Sequence, residues 1–330
     1  MDTNQPFDTR GFGIAFALVA LPAALVLVFG AVAGRIRAWL RPTWAFPVRP
    51  WNGFAIVLAF GVYYVLMLMA TQAAAQGHWF DSADESARKT LEGIAARLIA
   101  TPLFFACVAF ALTQVHGPLR RPRLGRLAGG IALGSLAWFV IAPATIAVHM
   151  AALKVKQEIG GPIDQHPLAK LHPAQDGFGG ALIGLAVCVL TPLFEEYFFR
   201  GLLLPWAMRA AHRPWILIGW PFLFAQQVFG DLSDPHYGAV LFAACGALVL
   251  GLCQVLPKTR PKRTVLAIVS TSVFFAAVHS SVWPSPIPLF VLALGLGYLT
   301  ARTGSIVPAV VVHGLFNAVS FVYLLRGPAG

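Results

Sequence analysis

The chain has 330 residues, 58% of them hydrophobic and 11% charged, with a net charge of +11 at neutral pH. Soluble domains carry about 25% charged residues, so a fold of this size could not cover so much apolar mass in water, and disordered, collagen-like and disulfide-scaffold classes are excluded on the same ground. The basic residues fall in short clusters between apolar runs, with no stripe along one polar face, which points to a polytopic membrane protein with no nucleic-acid partner.

A bilayer core about 30 Å thick takes about 20 apolar residues of helix. On that measure the sequence predicts an all-α transmembrane bundle of ten spans. They lie at 11–33, 51–75, 94–115, 127–152, 180–208, 214–230, 238–256, 264–282, 286–301 and 305–325. The first follows a stretch holding Asp2, Asp8 and Arg10 and lacks a positive n-region, so it is expected to stay in the membrane and not be cleaved as a signal peptide. Loops after the odd-numbered spans hold 15 of the 24 Lys and Arg residues and no acid, whereas the other side holds 11 of the 13 acids. The positive-inside rule then places both termini away from the cytoplasm. Cys107, Cys188, Cys245 and Cys253 lie inside apolar segments without a CxxC pair and read as small buried hydrophobes.

Two acids remain, Glu195 and Glu196, midway along the fifth span. An ionisable group at that depth costs about 2.5–3.5 kcal/mol even on lenient scales, so each needs a partner or a purpose. Glu196 and Arg200 are i and i+4 and can pair on a helix. Glu195 points about 100° away, has no partner at helical spacing, and is free to act as a general base. The rival reading of Glu196 and Arg200 is a structural ion pair between helices. Pro192, one turn earlier, is expected to loosen the helix and admit water or a substrate backbone.

A second polar position, His279, closes the eighth span and is followed by Ser280 and Ser281. Alone it reads equally as an interfacial histidine. The tenth span offers His313 and Asn317, again i and i+4, with Gly314 between them to let another backbone approach. Interhelical hydrogen bonding is the plain alternative there. Each of these sites needs polar company inside the bilayer, and the cheapest arrangement brings them together.

The ordered set Glu195-Glu196-x-x-x-Arg200, Phe275-x-x-x-His279 and His313-x-x-x-Asn317 resembles the CPBP family. That group comprises the type II CAAX prenyl endopeptidases and the bacteriocin-processing and immunity relatives. The flanking Arg200-Gly201-Leu202-Leu203 and Gly304-Ser305-Ile306-Val307-Pro308 resemble it too. The resemblance makes 178–325 the protease domain and leaves 1–177 as N-terminal transmembrane helices. It also marks a departure: about fifty residues, 213–262, separate the first two motifs and are expected to form an inserted helical hairpin. An even number of spans leaves the relative direction of the motif helices unchanged. His212, His236, Gln226 and Gln227, in or beside it, read as structural.

What the resemblance implies is an intramembrane endopeptidase. Glu195 would activate water, His279 would help hold it, His313 and Asn317 would donate to the oxyanion, and Glu196 with Arg200 would position Glu195. Metal-free catalysis with no cofactor is the favoured account, because no His-Glu-x-x-His helix is present and Asn is a poor zinc ligand. The zinc alternative would use Glu195, His279 and His313. The implied partners are a peptide or protein substrate, a lipidated one included, and membrane lipids. High Ala, Gly and Arg with little Lys suggests a GC-rich bacterial genome, and a multi-pass chain of that source is expected in the inner (plasma) membrane. The rival classes are a non-catalytic immunity or scaffold protein that keeps the motifs as glue and, without support from an internal repeat, a transporter.

Overall fold

The computed structural model describes residues 53–116 (except 82 and 84), 124–158, 177–210 and 260–326 (except 280, 281 and 283). All regular structure among them is helical: α1 (Gly53–Gln76), α2 (Glu85–His116), α3 (Leu124–Glu158), α4, α5 (Arg260–Ala277), α6 (Pro286–Thr303) and α7 (Val307–Arg326). The α4 run is continuous but changes pitch along its length. It passes from α-helical Gly177–Leu185 through π-helical Ala186–Leu190, α-helical Thr191–Glu196 and π-helical Tyr197–Leu203 to α-helical Leu204–Ala210.

Seven of the expected spans fall on these helices, and those at 11–33, 214–230 and 238–256 lie outside the described residues. By length and composition, five of the described helices can cross a membrane: Gly53–Gln76, Ala87–Gln114, Leu124–Glu158, Gly179–Met208 and Pro286–Thr303. The apolar parts of α5 and α7 are shorter. Helix α2 begins well before the expected 94, because charges in its first turns pair along the helix. Lys89 Nζ lies 2.7 Å from Glu85 Oε1, and Arg88 Nε lies 3.9 Å from Glu92 Oε1.

Many apolar side chains of α1 face outward, among them Phe54, Leu58, Val65 and Met69. That orientation suits a lipid-facing helix and would be costly in water. Where helices meet each other, small residues let the backbones close in. A Cβ built on Gly134 of α3 would lie 2.7 Å from the Pro308 carbonyl oxygen of α7, and one on Gly295 of α6 would lie 2.9 Å from Ile141 of α3. Helix α6 ends at Gly304 in the left-handed conformation (φ 66°), its N–H returning to the Thr300 carbonyl.

An aromatic cluster joins the N-terminal helices to the middle of α4. The Tyr63 ring of α1 stacks on Phe194 of α4 with centroids 3.4 Å apart, and Phe104 of α2 meets Phe194 edge-on at 5.4 Å. Ile56, Phe104, Phe194, Phe198, Phe199 and Phe275 are buried in one core. The N-terminal helices therefore share the core of the helix that carries the two glutamates.

Candidate active site

In the first π-helical turn of α4 the Thr191 N–H returns to the Ala186 carbonyl, five residues back. The next N–H in that register would serve Val187, but residue 192 is proline and has none. The Val187 carbonyl is left out of the helix's own ladder, and Asn317 of α7 answers it, donating from Nδ2 across 3.0 Å. Gly314, on the same face of α7, sits against the neighbouring carbonyl, and a Cβ built on it would lie 2.7 Å from the Cys188 oxygen. Pro192 thus opens the helix as the sequence led us to expect, but a side chain from α7 fills the opening. Local π turns recur at functional sites for such reasons.

This docking has a direct test. In Gly314→Ala the added methyl meets backbone oxygen, which cannot swing aside, so α7 must back away. The expected cost is about 1–3 kcal/mol, read as earlier thermal unfolding in detergent.

Docked in this way, α7 brings His313 against the carboxylates. His313 Nδ1 lies 2.9 Å from Glu196 Oε1, which also accepts from Arg200 Nη1 at 3.0 Å. The side chains of Arg200 and Glu196 are 1% and 0% exposed, so their charges are fully withdrawn from solvent. Arg200 Nη2 donates to the Ala293 carbonyl of α6 at 3.3 Å, and its guanidinium lies 4.6 Å from the Phe275 ring centroid. Counter-charge, hydrogen bonds and an aromatic face reduce the cost of desolvation, while Glu196 Oε2 is buried with no hydrogen-bond partner.

His279 is placed by the end of α5. The helix stops at Ala277, short of the expected 282, and the His279 N–H turns back to the Ala276 carbonyl at 3.1 Å. That leaves the Phe275 carbonyl for the imidazole of His279, whose Nδ1 reaches it at 2.7 Å. A carbonyl only accepts, so Nδ1 carries the proton and Nε2 of the neutral ring a lone pair. The same inference from the partner applies to His313, whose Nδ1 faces a carboxylate.

Both Nε2 atoms then face Glu195. His279 Nε2 is 4.0 Å from Oε1 and His313 Nε2 is 3.8 Å from Oε2. These separations exceed a direct hydrogen bond. Glu195 is 19% exposed, against none for Glu196, and its buried Oε2 has no hydrogen-bond partner. Of the expected site residues, Glu195, Glu196, Arg200, His279 and His313 come together. Asn317 lies beside them, but its amide is engaged with α4.

The sequence did not mark Ala293, whose carbonyl holds Arg200, or Tyr63, whose ring covers Phe194. Tyr63 Oη lies 3.3 Å from Thr101 Oγ1. No polar spacing in α1 could have singled it out. Among the described residues no group of three His, Cys, Asp or Glu side chains is arranged to hold a metal ion.

Comparison with known families gives a match over residues 177–259 and 251–319 to the family model described as type II CAAX prenyl endopeptidase Rce1-like. The two pieces meet at 251–259, within the stretch expected to be inserted. No curated protein and no solved structure matches the chain.

Proposed function

Taking as premise that residues 177–319 match the type II CAAX prenyl endopeptidase family, we propose that the protein is an intramembrane endopeptidase in which Glu195 activates the attacking water. The observation that supports this is the convergence of Glu195, His279 and His313 from three helices, with both Nε2 atoms within 4.0 Å of one carboxylate. A carboxylate and two lone-pair nitrogens are all acceptors, and the molecule such a set takes up is a proton donor. Separations of this size are those a shared water oxygen spans.

The water oxygen attacks the peptide carbonyl carbon as its proton passes to Glu195. The proton Glu195 has taken is shared with His313 Nε2, 3.8 Å from its Oε2, and the imidazolium so formed, with Glu196 at Nδ1 as counter-charge, faces the oxyanion before the proton returns to Glu195. Collapse breaks the C–N bond, and the proton on Glu195 goes to the departing amine nitrogen. Arg200 holds Glu196 in place, and His279 holds the water from the other side. The substrate is a membrane-delivered peptide or protein, lipidated chains included, and the setting is a bacterial plasma membrane.

The test is hydrolysis of a quenched-fluorescent peptide ending in a farnesylated Cys-a-a-X sequence by the purified protein in detergent, with and without 1,10-phenanthroline. Cleavage unaffected by the chelator is expected. Inhibition reversed by zinc would make Glu195, His279 and His313 metal ligands instead. A second reading, a non-catalytic scaffold, draws on the Glu196–Arg200–Ala293 contacts, which would stabilise the bundle with or without chemistry.

A further inference from the structure

Resting on that peptidase reading, the family resemblance would make Asn317 a second oxyanion donor beside His313, but the geometry gives it another task. We propose that Asn317 is a positioning residue that supplies the hydrogen bond Pro192 removes from α4, and through it holds His313 at Glu196.

Three observations carry this. The π turn hands the Thr191 N–H to Ala186, and Pro192 offers no N–H to Val187, so that carbonyl has no donor in its own helix. The amide of Asn317 lies 3.0 Å from it. Gly314, three residues earlier, is pressed against Cys188 O, so α7 approaches α4 at this opening closely enough that even a methyl would clash. In the apolar interior an unanswered carbonyl is costly, and the contact that answers it fixes both the height and the rotation of α7. His313 is one turn away from Asn317 on the same helix, and its 2.9 Å contact with Glu196 depends on that setting.

The roles separate in a double-mutant cycle, because the positioning role exists only while residue 192 lacks an N–H. Asn317→Ala is expected to lower the midpoint of thermal unfolding in detergent by about 2–4 °C. It should also lower cleavage of the farnesylated peptide by about 10²-fold, the scale of a misplaced group. Pro192→Ala restores a backbone donor to α4, so in that background adding Asn317→Ala should move the midpoint little and cost less than tenfold in activity. An oxyanion donor behaves otherwise: its removal costs about 10²–10³-fold in either background. Equal losses in both backgrounds would overturn the proposal.

If Pro192→Ala does not fold, Asn317→Leu decides alone. It keeps most of the volume and carries no donor in any protonation state, so it must unfold earlier than wild type, and wild-type stability would sink the idea. The unfolding arm does not depend on the peptidase reading. If that reading fails, no variant, wild type included, cuts the peptide, while the stability cycle still reports on Asn317.

Discussion

Glu195→Gln is expected to abolish hydrolysis while leaving the fold and its thermal midpoint close to wild type. The side chain is partly exposed and makes no hydrogen bond that the fold depends on, and glutamine keeps its shape. In the proposed mechanism, what is lost is the group that both takes a proton from water and returns it to the amine. General acid–base catalysis contributes about 10²–10⁴-fold for one such step, and Glu195 serves two, so the upper end or beyond is expected. The inactive variant should also retain substrate. Affinity purification from cells followed by mass spectrometry should recover a peptide or protein on Glu195→Gln that wild type does not carry. Residual activity within tenfold of wild type, or identical partners on both, would move the chemistry away from Glu195 and favour a scaffold.

The neighbouring pair should respond in the opposite way, with stability failing first. Arg200→Met leaves Glu196 ionised in a site with no exposure to solvent, with only the His313 ring to answer it. Breaking a buried pair by removing one partner costs about 3–5 kcal/mol, enough to deplete the folded protein in the membrane. Combining Arg200→Met with Glu196→Gln removes both charges, so the penalty of a charge buried without its partner disappears while the Gln oxygen can still accept from His313 Nδ1. The double variant should regain its thermal midpoint without regaining cleavage, because His313 no longer has a counter-charge at Nδ1. If Arg200→Met alone unfolds no earlier than wild type, Glu196 is not charged in the folded protein and the supporting role assigned to the pair is wrong.

Much of this site could be located from the sequence because polar residues inside apolar spans have few explanations. The i,i+4 spacing of Glu196 and Arg200 gave their contact directly, and the need of each isolated polar group for company foretold that His279 and His313 would approach Glu195. Spacing left Asn317 open between an interhelical hydrogen bond and a place in the site, and the structure shows the hydrogen bond. Helical periodicity places it on the face of His313, and only the pitch of the opposing helix shows that its amide is taken up by Val187. The two π turns leave no mark in hydropathy, since they alter which N–H reaches which carbonyl and not which residues are apolar. The expected span at 264–282 overruns the end of α5: it carries the helix on through His279, Ser280 and Ser281 to Val282, whereas the backbone has already turned so that His279 can answer Phe275. The stacking of Tyr63 on Phe194 is a tertiary match between two apolar faces, and many aromatic residues of the chain could have made it. Spans at 11–33, 214–230 and 238–256, with the inserted stretch, fall outside the described residues.

The changes of pitch in α4 have a consequence for how this helix tolerates length. A π turn holds one residue more than an α-helical turn, and one residue of an α-helix is worth about 100° of rotation, which is also the angle between Glu195 and Glu196. Because the π turn winds its extra residue into nearly the same total angle, loss of a single residue from 186–190 would let the ladder close in ordinary register with both halves of α4 keeping their present faces, and Ile183 would stay packed inside. Loss of a residue from the α-helical Gly177–Leu185 would instead turn everything before it by that angle and carry its inner side chains toward lipid. Sequences of this kind should accept a one-residue deletion within 186–190 more readily than one within Gly177–Leu185.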